Sequence, residues 1–294
     1  MTQQTGIIGC GRAGSHLAFH LKKAGWSVCG IWDAEIKKAE QIAALTEIPL
    51  LSPEEMGQKA DILVLALPDD TIASACDSLA AKGIFHPGQR VFHLSGSQPA
   101  ALLVSAAKKG AFTASLHPLQ SFSPSLDRGH PFKNILMTAE GMPEAVETGL
   151  AMAEDLGAKG IPIAADAKVL YHAAAVVASN YLVTLLDFSF DLLEASGIEG
   201  SHAMAFLAPL ISGTLANLEK MPAEAALTGP VVRGDTSTLK RHLEAISEKR
   251  PLRSDLYKAL GRATLDLAVR GKHLDKQAER QIHPLFSLNG TLGA

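Results

Sequence analysis

The chain has little of what marks several functional classes. It has three cysteines, Cys10, Cys29 and Cys76. Their odd number and lack of metal-type spacing support neither a disulfide framework nor a zinc site, and no metal site is expected. A reducing, cytoplasmic setting fits. Aromatic residues make up 5% of the 294 residues and the net charge is only -3. Such a surface lacks phosphate-neutralising charge and the stacking groups of single-strand binders, so nucleic acid is not an expected partner. Long hydrophobic runs are missing as well. A run such as residues 173–178 falls far short of the about 18 apolar residues of a membrane span. The N-terminus reaches a glycine motif before a signal region develops, so no membrane association is expected.

What is present is an ordinary globular composition, 47% hydrophobic and 19% charged, able to bury a core. At roughly 100 to 200 residues per domain, the length fits two cores better than one. Before residue 165, short β-rich apolar runs alternate with helical patterns, the sign of βαβ units and a parallel sheet. Strands are expected at 6–8, 28–32, 49–51, 62–66, 90–94, 112–116, 134–138 and 160–163. After it, helical patterns take over. The expected fold is α/β, with a doubly wound Rossmann-like sheet over residues 1–165 followed by an all-α domain over residues 166–294.

The first strand runs directly into Gly9-Cys10-Gly11-Arg12-Ala13-Gly14, and a helical pattern follows at once. In this G-x-G-x-x-G the first glycine permits a tight turn and the second lets the backbone approach a pyrophosphate. The third allows close helix-to-strand packing, and the phosphate is held at the helix N-terminus. The second strand ends in Asp33, 19 residues past Gly14. A carboxylate there accepts hydrogen bonds from the ribose hydroxyls and repels a 2′-phosphate, which favours NAD. Arg12, Lys37 and Lys38 are placed either to neutralise a 2′-phosphate or to form a solvated face, which keeps NADP open. The expected cofactor is NAD or NADP.

Ligands of such sheets bind at the carboxyl ends of the strands. Leu67 and Pro68 are expected to line the cofactor cleft, with Asp69 capping the next helix. The fifth expected strand ends in His93-Leu94-Ser95-Gly96-Ser97, which puts Ser95 and Gly96 at the nicotinamide end. The sixth delivers His117-Pro118-Leu119-Gln120-Ser121-Phe122 to the same edge. His117 is there either structural or catalytic, and Gln120 belongs to the wall of the site.

Residues 166–196 read as one helix closed by Gly197, about 46 Å long. A helix apolar nearly all round belongs inside something, and a second copy of the chain is the expected cover, giving a homodimer. Lys168, His172 and Ser179 fall in a narrow stripe with Asn180 beside it. The stripe either faces the cleft or packs structurally with Lys168 exposed. Further on, Gly229 and Pro230 break the chain before Arg233-Gly234-Asp235, and Asp235 caps the next helix. Arg233 offers a planar bidentate donor for a substrate carboxylate, or pairs with Asp235 to shape the loop. Residues 252–270 read as a closing helix and 282–294 as an irregular end.

Gly9-x-Gly11-Arg12-x-Gly14, Leu67-Pro68-Asp69, His93-x-Ser95-Gly96, His117-Pro118-Leu119-Gln120-Ser121-Phe122, Ser179-Asn180 and Gly229-Pro230-x-x-Arg233-Gly234-Asp235 together resemble an uncharacterised bacterial family. The likeness extends over nearly the whole chain. That family pairs a Rossmann-like domain with a helical domain of the 6-phosphogluconate-dehydrogenase C-terminal type. Its members are described as NADP oxidoreductases of the deazaflavin-dependent type, with ketopantoate reductase, pyrroline-5-carboxylate reductase and prephenate dehydrogenase as relatives. The resemblance implies a dimer with the active site between domains. Ketopantoate reductases and hydroxyacid dehydrogenases of this type carry a catalytic Lys and an Asn four residues apart on the long helix. Here the corresponding pair is Lys168 and His172, so that assignment does not transfer. His117-Pro118 looks similar to the His-Pro pair of prephenate dehydrogenases, which implies substrate contact for His117. Asp33 stands against a strict NADP label.

The expected activity is hydride transfer between NAD(P) and a small carboxylate-bearing ketone, imine or alcohol. His172 or His117 supplies the proton, Arg233 meets the carboxylate with Lys168 and Asp235 nearby, and Ser95, Gln120 and Asn180 orient the substrate. A non-catalytic dinucleotide-binding protein and a prephenate-dehydrogenase-like enzyme are the alternatives.

Overall fold

Hydrophobic residues in consecutive positions of the early strands are explained by what covers them. The computed structural model describes residues 3–126 and 129–287, and the chain divides into two units after Asn180. The first unit runs β1 (Gln4–Ile8), α1 (Arg12–Lys23), β2 (Ser27–Trp32), α2 (Ile36–Thr46), α3 (Pro53–Lys59), β3 (Ile62–Leu65), α4 (Ile72–Ala81), β4 (Arg90–His93), α5 (Val104–Ala107), β5 (Phe112–Pro118), β6 (Leu136–Gly141), α6 (Pro143–Asp155), β7 (Lys159–Pro162) and α7 (Lys168–Ala178). Ile7, Ile62, Val64 and Phe92 join Leu17, Leu21 and Met152 in one core, while Ile8, Leu63, Leu65 and Val91 join Met56, Ile72 and Leu103 in another. Each strand thus feeds both faces of a doubly wound sheet, as continuous apolar runs require.

The sheet order is β2-β1-β3-β4-β5-β6-β7. The strands from β2 to β5 are parallel, and the order reverses beside β1, which opens the crevice where α/β sheets bind ligands. Two expectations are corrected. Residues 49–51 are no full strand: Leu50 makes only an isolated parallel bridge to Ile31. Pro49 has no N–H to give, and the Ser52 cap with Pro53 starts α3 at once, leaving no length for a ladder. The sheet is also not wholly parallel, because β6 runs antiparallel to β5. Among the described residues no helix lies between them to carry the chain back to the opposite edge, which a parallel pairing needs. Asn134, expected in that strand, has φ 63° and precedes it.

The expected single helix over 166–196 is broken. α7 ends at Ala178, Ser179 sits at φ -118° and ψ -70°, and α8 (Asn180–Ala195) begins anew. Within 165–195 an 18-residue window has a mean hydropathy of 1.6, so by length and composition alone this stretch could cross a membrane. Counting uninterrupted apolar residues missed it, because Tyr171-His172 and Ser179-Asn180 interrupt the run.

The second unit continues with α9 (Ala203–Leu218), α10 (Ala223–Ala226), α11 (Thr236–Lys249), α12 (Ser254–Arg270) and α13 (Lys276–Ile282). Its core gathers Val231, Leu239, Leu265, Ala268, Ile282 and Phe286. Gly197, at φ 92°, closes α8 as expected. The end of the chain is more regular than its sequence suggests: α13 and a 3-10 turn at His283–Phe286 bury Phe286 against Gly261. Residues 288–294 of the expected irregular end lie outside the described residues.

Candidate functional site

The three fingerprint glycines do three different jobs. At Gly9, φ is +107° and an added Cβ would lie 2.2 Å from the Ala66 carbonyl oxygen. At Gly14 it would lie 2.0 Å from the Gly9 carbonyl oxygen, whereas at Gly11 it would meet nothing within 4 Å. Gly9 and Gly14 are thus fixed by packing. Gly11 is left open, and it caps α1 without a side-chain acceptor for the first-turn N–H groups. That combination is a cradle into which a phosphate fits. The loop borders a cleft of about 750 Å³ lined also by Trp32, Asp33, Leu67 and Pro68, within the usual size for a small-molecule site.

Asp33 closes the loop. Its Oδ2 accepts from the Cys10 N–H at 2.6 Å and its Oδ1 from the Glu35 N–H at 2.9 Å, with Lys38 Nζ 3.7 Å away. Burial, and then the Asp33 charge, pushes the Cys10 thiol up to about 11, so it remains protonated. Arg12 is exposed on the first turn of α1 and Ala13 is half-buried beneath it.

A second polar group forms at the ends of β4 and β5. Ser95 Oγ and Ser97 Oγ both donate to Asp69 Oδ2, at 2.7 and 2.8 Å. Asp69 is therefore not the cap expected of it; Thr71 holds the N-cap position of α4, and the Asp69 carboxylate reaches across to the β4 turn instead. His93 accepts the Ser95 N–H on Nδ1 and lies against the Pro99 carbonyl through Nε2. It is fully buried and held down at about 4 by that burial. It shapes the turn that presents Gly96.

Lys168, Tyr171 and His172 are spaced i, i+3 and i+4 on α7 and share one helix face. The reading of Lys168 as exposed is overturned. Lys168 is 0% exposed, and its Nζ donates to Ser115 Oγ at 2.7 Å and to the Ser95 carbonyl at 3.3 Å. Burial lowers its pKa, while the charges of Glu140 and Asp69 oppose the shift. Glu140 Oε2 in turn accepts from the Ala100 N–H at 2.8 Å and from Ser115 Oγ at 3.3 Å.

His117 meets Tyr171 through an Nδ1 to hydroxyl hydrogen bond of 2.9 Å. Its ring stands edge-on to both Tyr171 and His172. Burial, then the neighbouring His172 and Lys168, hold it down at about 4, so at neutral pH it is an uncharged imidazole. Both rings press on Gly96: His117 Nε2 and His172 Nδ1 each lie 2.8 Å from where its Cβ would be. His172 Nδ1 is buried and without a hydrogen-bond partner among the described residues.

Other expected residues stand elsewhere. Gln120 braces its own loop, donating to the Pro131 carbonyl and accepting from the Ser121 N–H. Asn180 is exposed beyond the break at Ser179. In the second unit Arg233 is exposed on its turn, and Asp235 caps α11 by accepting the Thr238 N–H at 3.0 Å. The sequence reading missed Tyr171, Ser115 and Glu140. The three-residue offset from Lys168 signals Tyr171, and the alternation that puts Ser115 on the face of His117 signals the serine. Nothing local signals Glu140, which arrives on the antiparallel β6. No group of three His, Cys, Asp or Glu residues arranged to hold a metal ion occurs among the described residues.

Comparison with known proteins agrees with this architecture. Residues 2–118 match the Rossmann-like domain, and residues 135–264 match a domain of unknown function, DUF2520. No curated protein matches the chain. Among solved structures, a Bacteroides fragilis protein proposed to be an NADP oxidoreductase superposes with TM-score 0.75 at 21% identity, covering 90% of this chain and 98% of that one. The reductive aminase of Aspergillus terreus, in complex with NADPH and ethyl-5-oxohexanoate, gives 0.66 at 18% identity, covering 92% and 98%. A pyrroline-5-carboxylate reductase from Coxiella burnetii gives 0.59 at 16%, covering 94% and 100%. At such identities the likeness establishes the fold alone: a Rossmann-like sheet followed by a helical C-terminal region.

Proposed function

We propose that this chain is an NAD(P)-dependent oxidoreductase that transfers hydride to or from a small carboxylate-bearing ketone, imine or alcohol. One observation carries the reading. The edge of the sheet that holds the glycine cradle also gathers His117, Lys168, Tyr171 and His172, and it is the edge where ligands of such sheets bind. Gly9, Gly11, Gly14 and the first turn of α1 hold the pyrophosphate, Leu67 and Pro68 pack against the cofactor, and Ser95 and Gly96 border its reactive end. Asp33 takes the ribose hydroxyls and favours NAD over NADP. The bound dinucleotide supplies the hydride chemistry.

The protein's own part is orientation and proton management. His172, whose buried Nδ1 has no hydrogen-bond partner among the described residues and lies beside Gly96 with His117, is the proton donor in this reading. The carboxylate class rests on the exposed guanidinium of Arg233, a planar donor suited to that group. The exposed apolar side chains of α7, Val169, Leu170 and Val177, and those of Phe206 and Leu210 on α9, support a second copy of the chain as partner.

The test is loss of NADH or NADPH absorbance over a panel of keto acids, cyclic imino acids and their carboxamide counterparts. Turnover of a carboxylate substrate that disappears in His172→Ala supports the reading. Tight cofactor binding without turnover of any panel member would reject it in favour of a non-catalytic dinucleotide sensor.

A further inference from the structure

Resting on the oxidoreductase reading, we propose that Asp69 is a positioning residue. One oxygen of its carboxylate pinches the residues on either side of Gly96 and so holds that glycine against the His117 and His172 rings.

The hydrogen bonds of this pincer have only one direction open to them. Ser95 Oγ and Ser97 Oγ lie 2.7 and 2.8 Å from Asp69 Oδ2, and a carboxylate only accepts, so both hydroxyls donate to it. The two hydroxyl oxygens are 3.5 Å apart, and with both protons on Oδ2 neither bonds the other. Ser95 Oγ is left as an acceptor. It takes the backbone N–H groups of Gln98 at 3.0 Å and Ser97 at 3.3 Å, which closes the turn on itself. The Ser95 N–H donates to His93 Nδ1 at 3.1 Å, and the Ser95 carbonyl accepts from Lys168 Nζ at 3.3 Å. Ser95 is thus held at its N–H, its carbonyl and its hydroxyl, and among these bonds only the one to Asp69 is shared with the hydroxyl of Ser97.

Gly96 is what the pincer encloses. It is buried, and a Cβ there would stand 2.8 Å from His117 Nε2 and from His172 Nδ1, so both rings close on the turn with no room for a methyl. On its other side, Asp69 follows directly on Leu67-Pro68, which line the cleft beside the glycine loop. One carboxylate therefore ties the wall of that cleft to the turn that carries Gly96. A displacement of about an ångström in such a site lowers a rate by up to about a hundredfold. Because both hydroxyls use the same oxygen, the role requires one acceptor atom and not a charge, and an amide oxygen in its place serves as well.

The experiment uses the whole chain with Asp69→Ala and Asp69→Asn, both at an exposed position, read by steady-state kinetics and by amide hydrogen exchange over residues 94–99. Asp69→Ala should speed exchange at the Ser97 and Gln98 amides. It should also lower kcat at least about tenfold, with KM and melting temperature close to wild type. Asp69→Asn should restore both the protection and kcat. Losses in Asp69→Asn equal to those in Asp69→Ala overturn the proposal, because the charge and not the shared oxygen is then what matters. So does an Asp69→Ala that exchanges and turns over like wild type. The exchange comparison needs no substrate, so an inactive substrate panel rejects the oxidoreductase reading separately from the pincer.

Discussion

The ammonium of Lys168 is fully buried and donates to the Ser115 hydroxyl at 2.7 Å, which ties the first turn of α7 to the end of β5. Tyr171 and His172 follow on the same helix face, so this bond sets where their rings lie. Lys168→Ala leaves Ser115 Oγ and the Ser95 carbonyl without this donor and empties a buried site, and should cost about 2 to 5 kcal/mol of stability. Lys168→Met fills the volume with an apolar chain, should change stability by less than about 2 kcal/mol, and should still abolish turnover. Urea unfolding and steady-state kinetics on both variants check this; an active Lys168→Met would remove the lysine from the working site.

The fingerprint glycines should separate into two kinds on substitution. Gly14→Ala drives a methyl into the Gly9 carbonyl and should lower stability by about 3 kcal/mol or more, as overpacking against backbone does. Gly11→Ala meets nothing in the protein, so its melting temperature should match wild type while affinity for NADH drops at least about tenfold, the cost of about 1.4 kcal/mol. Calorimetric titration beside thermal unfolding tells them apart.

Asp33 should govern the choice of cofactor. Its carboxylate holds the Cys10 N–H and, on the proposed reading, meets the ribose. Asp33→Asn keeps an acceptor for Cys10 but loses the charge, and should narrow the preference for NADH over NADPH by about tenfold, again about 1.4 kcal/mol. If wild type binds NADPH more tightly than NADH, the assigned role of Asp33 is wrong.

Acid should destabilise the first unit through its buried histidines. His93 and His117 are each depressed from 6.5 to about 4. Between those values the unfolded chain binds protons that the folded chain does not, so stability falls as the pH drops from about 6.5 to about 4. Each histidine contributes up to about 3 kcal/mol to that loss at about 1.4 kcal/mol per unit. Denaturant midpoints at pH 7, 5.5 and 4.5 should fall in that order, and His117→Gln should flatten part of the slope. A midpoint constant across this range would show that neither histidine is buried as described.

Gly96 should tolerate no side chain. An alanine methyl would meet His117 and His172 rings at 2.8 Å. Those rings are the far ends of movable side chains, so Gly96→Ala should fold with a modest loss of about 1 to 3 kcal/mol and lose at least about a hundredfold in kcat. Retained turnover would mean that neither histidine works at this face.

Local pattern alone determined most of the strands, the glycine loop and Asp33, because each depends on neighbours within a few residues: a strand turns at Gly9, and a helix starts at Arg12. The same logic placed His117 and Gly96 at the carboxyl ends of their strands and Asp235 at its cap. It erred at residues 49–51, where Pro49 and the start of α3 leave no length for a ladder, and at Asp69, whose carboxylate takes serine hydroxyls from the neighbouring strand rather than its own helix. Only the tertiary structure decided that β6 returns antiparallel and so brings Glu140 beside Ser115. It also decided that Lys168 is buried rather than solvated and that Tyr171 meets His117. Those relationships join residues tens of positions apart, and charge, burial and tautomer depend on what surrounds a side chain in space, which the order of residues along the chain does not carry.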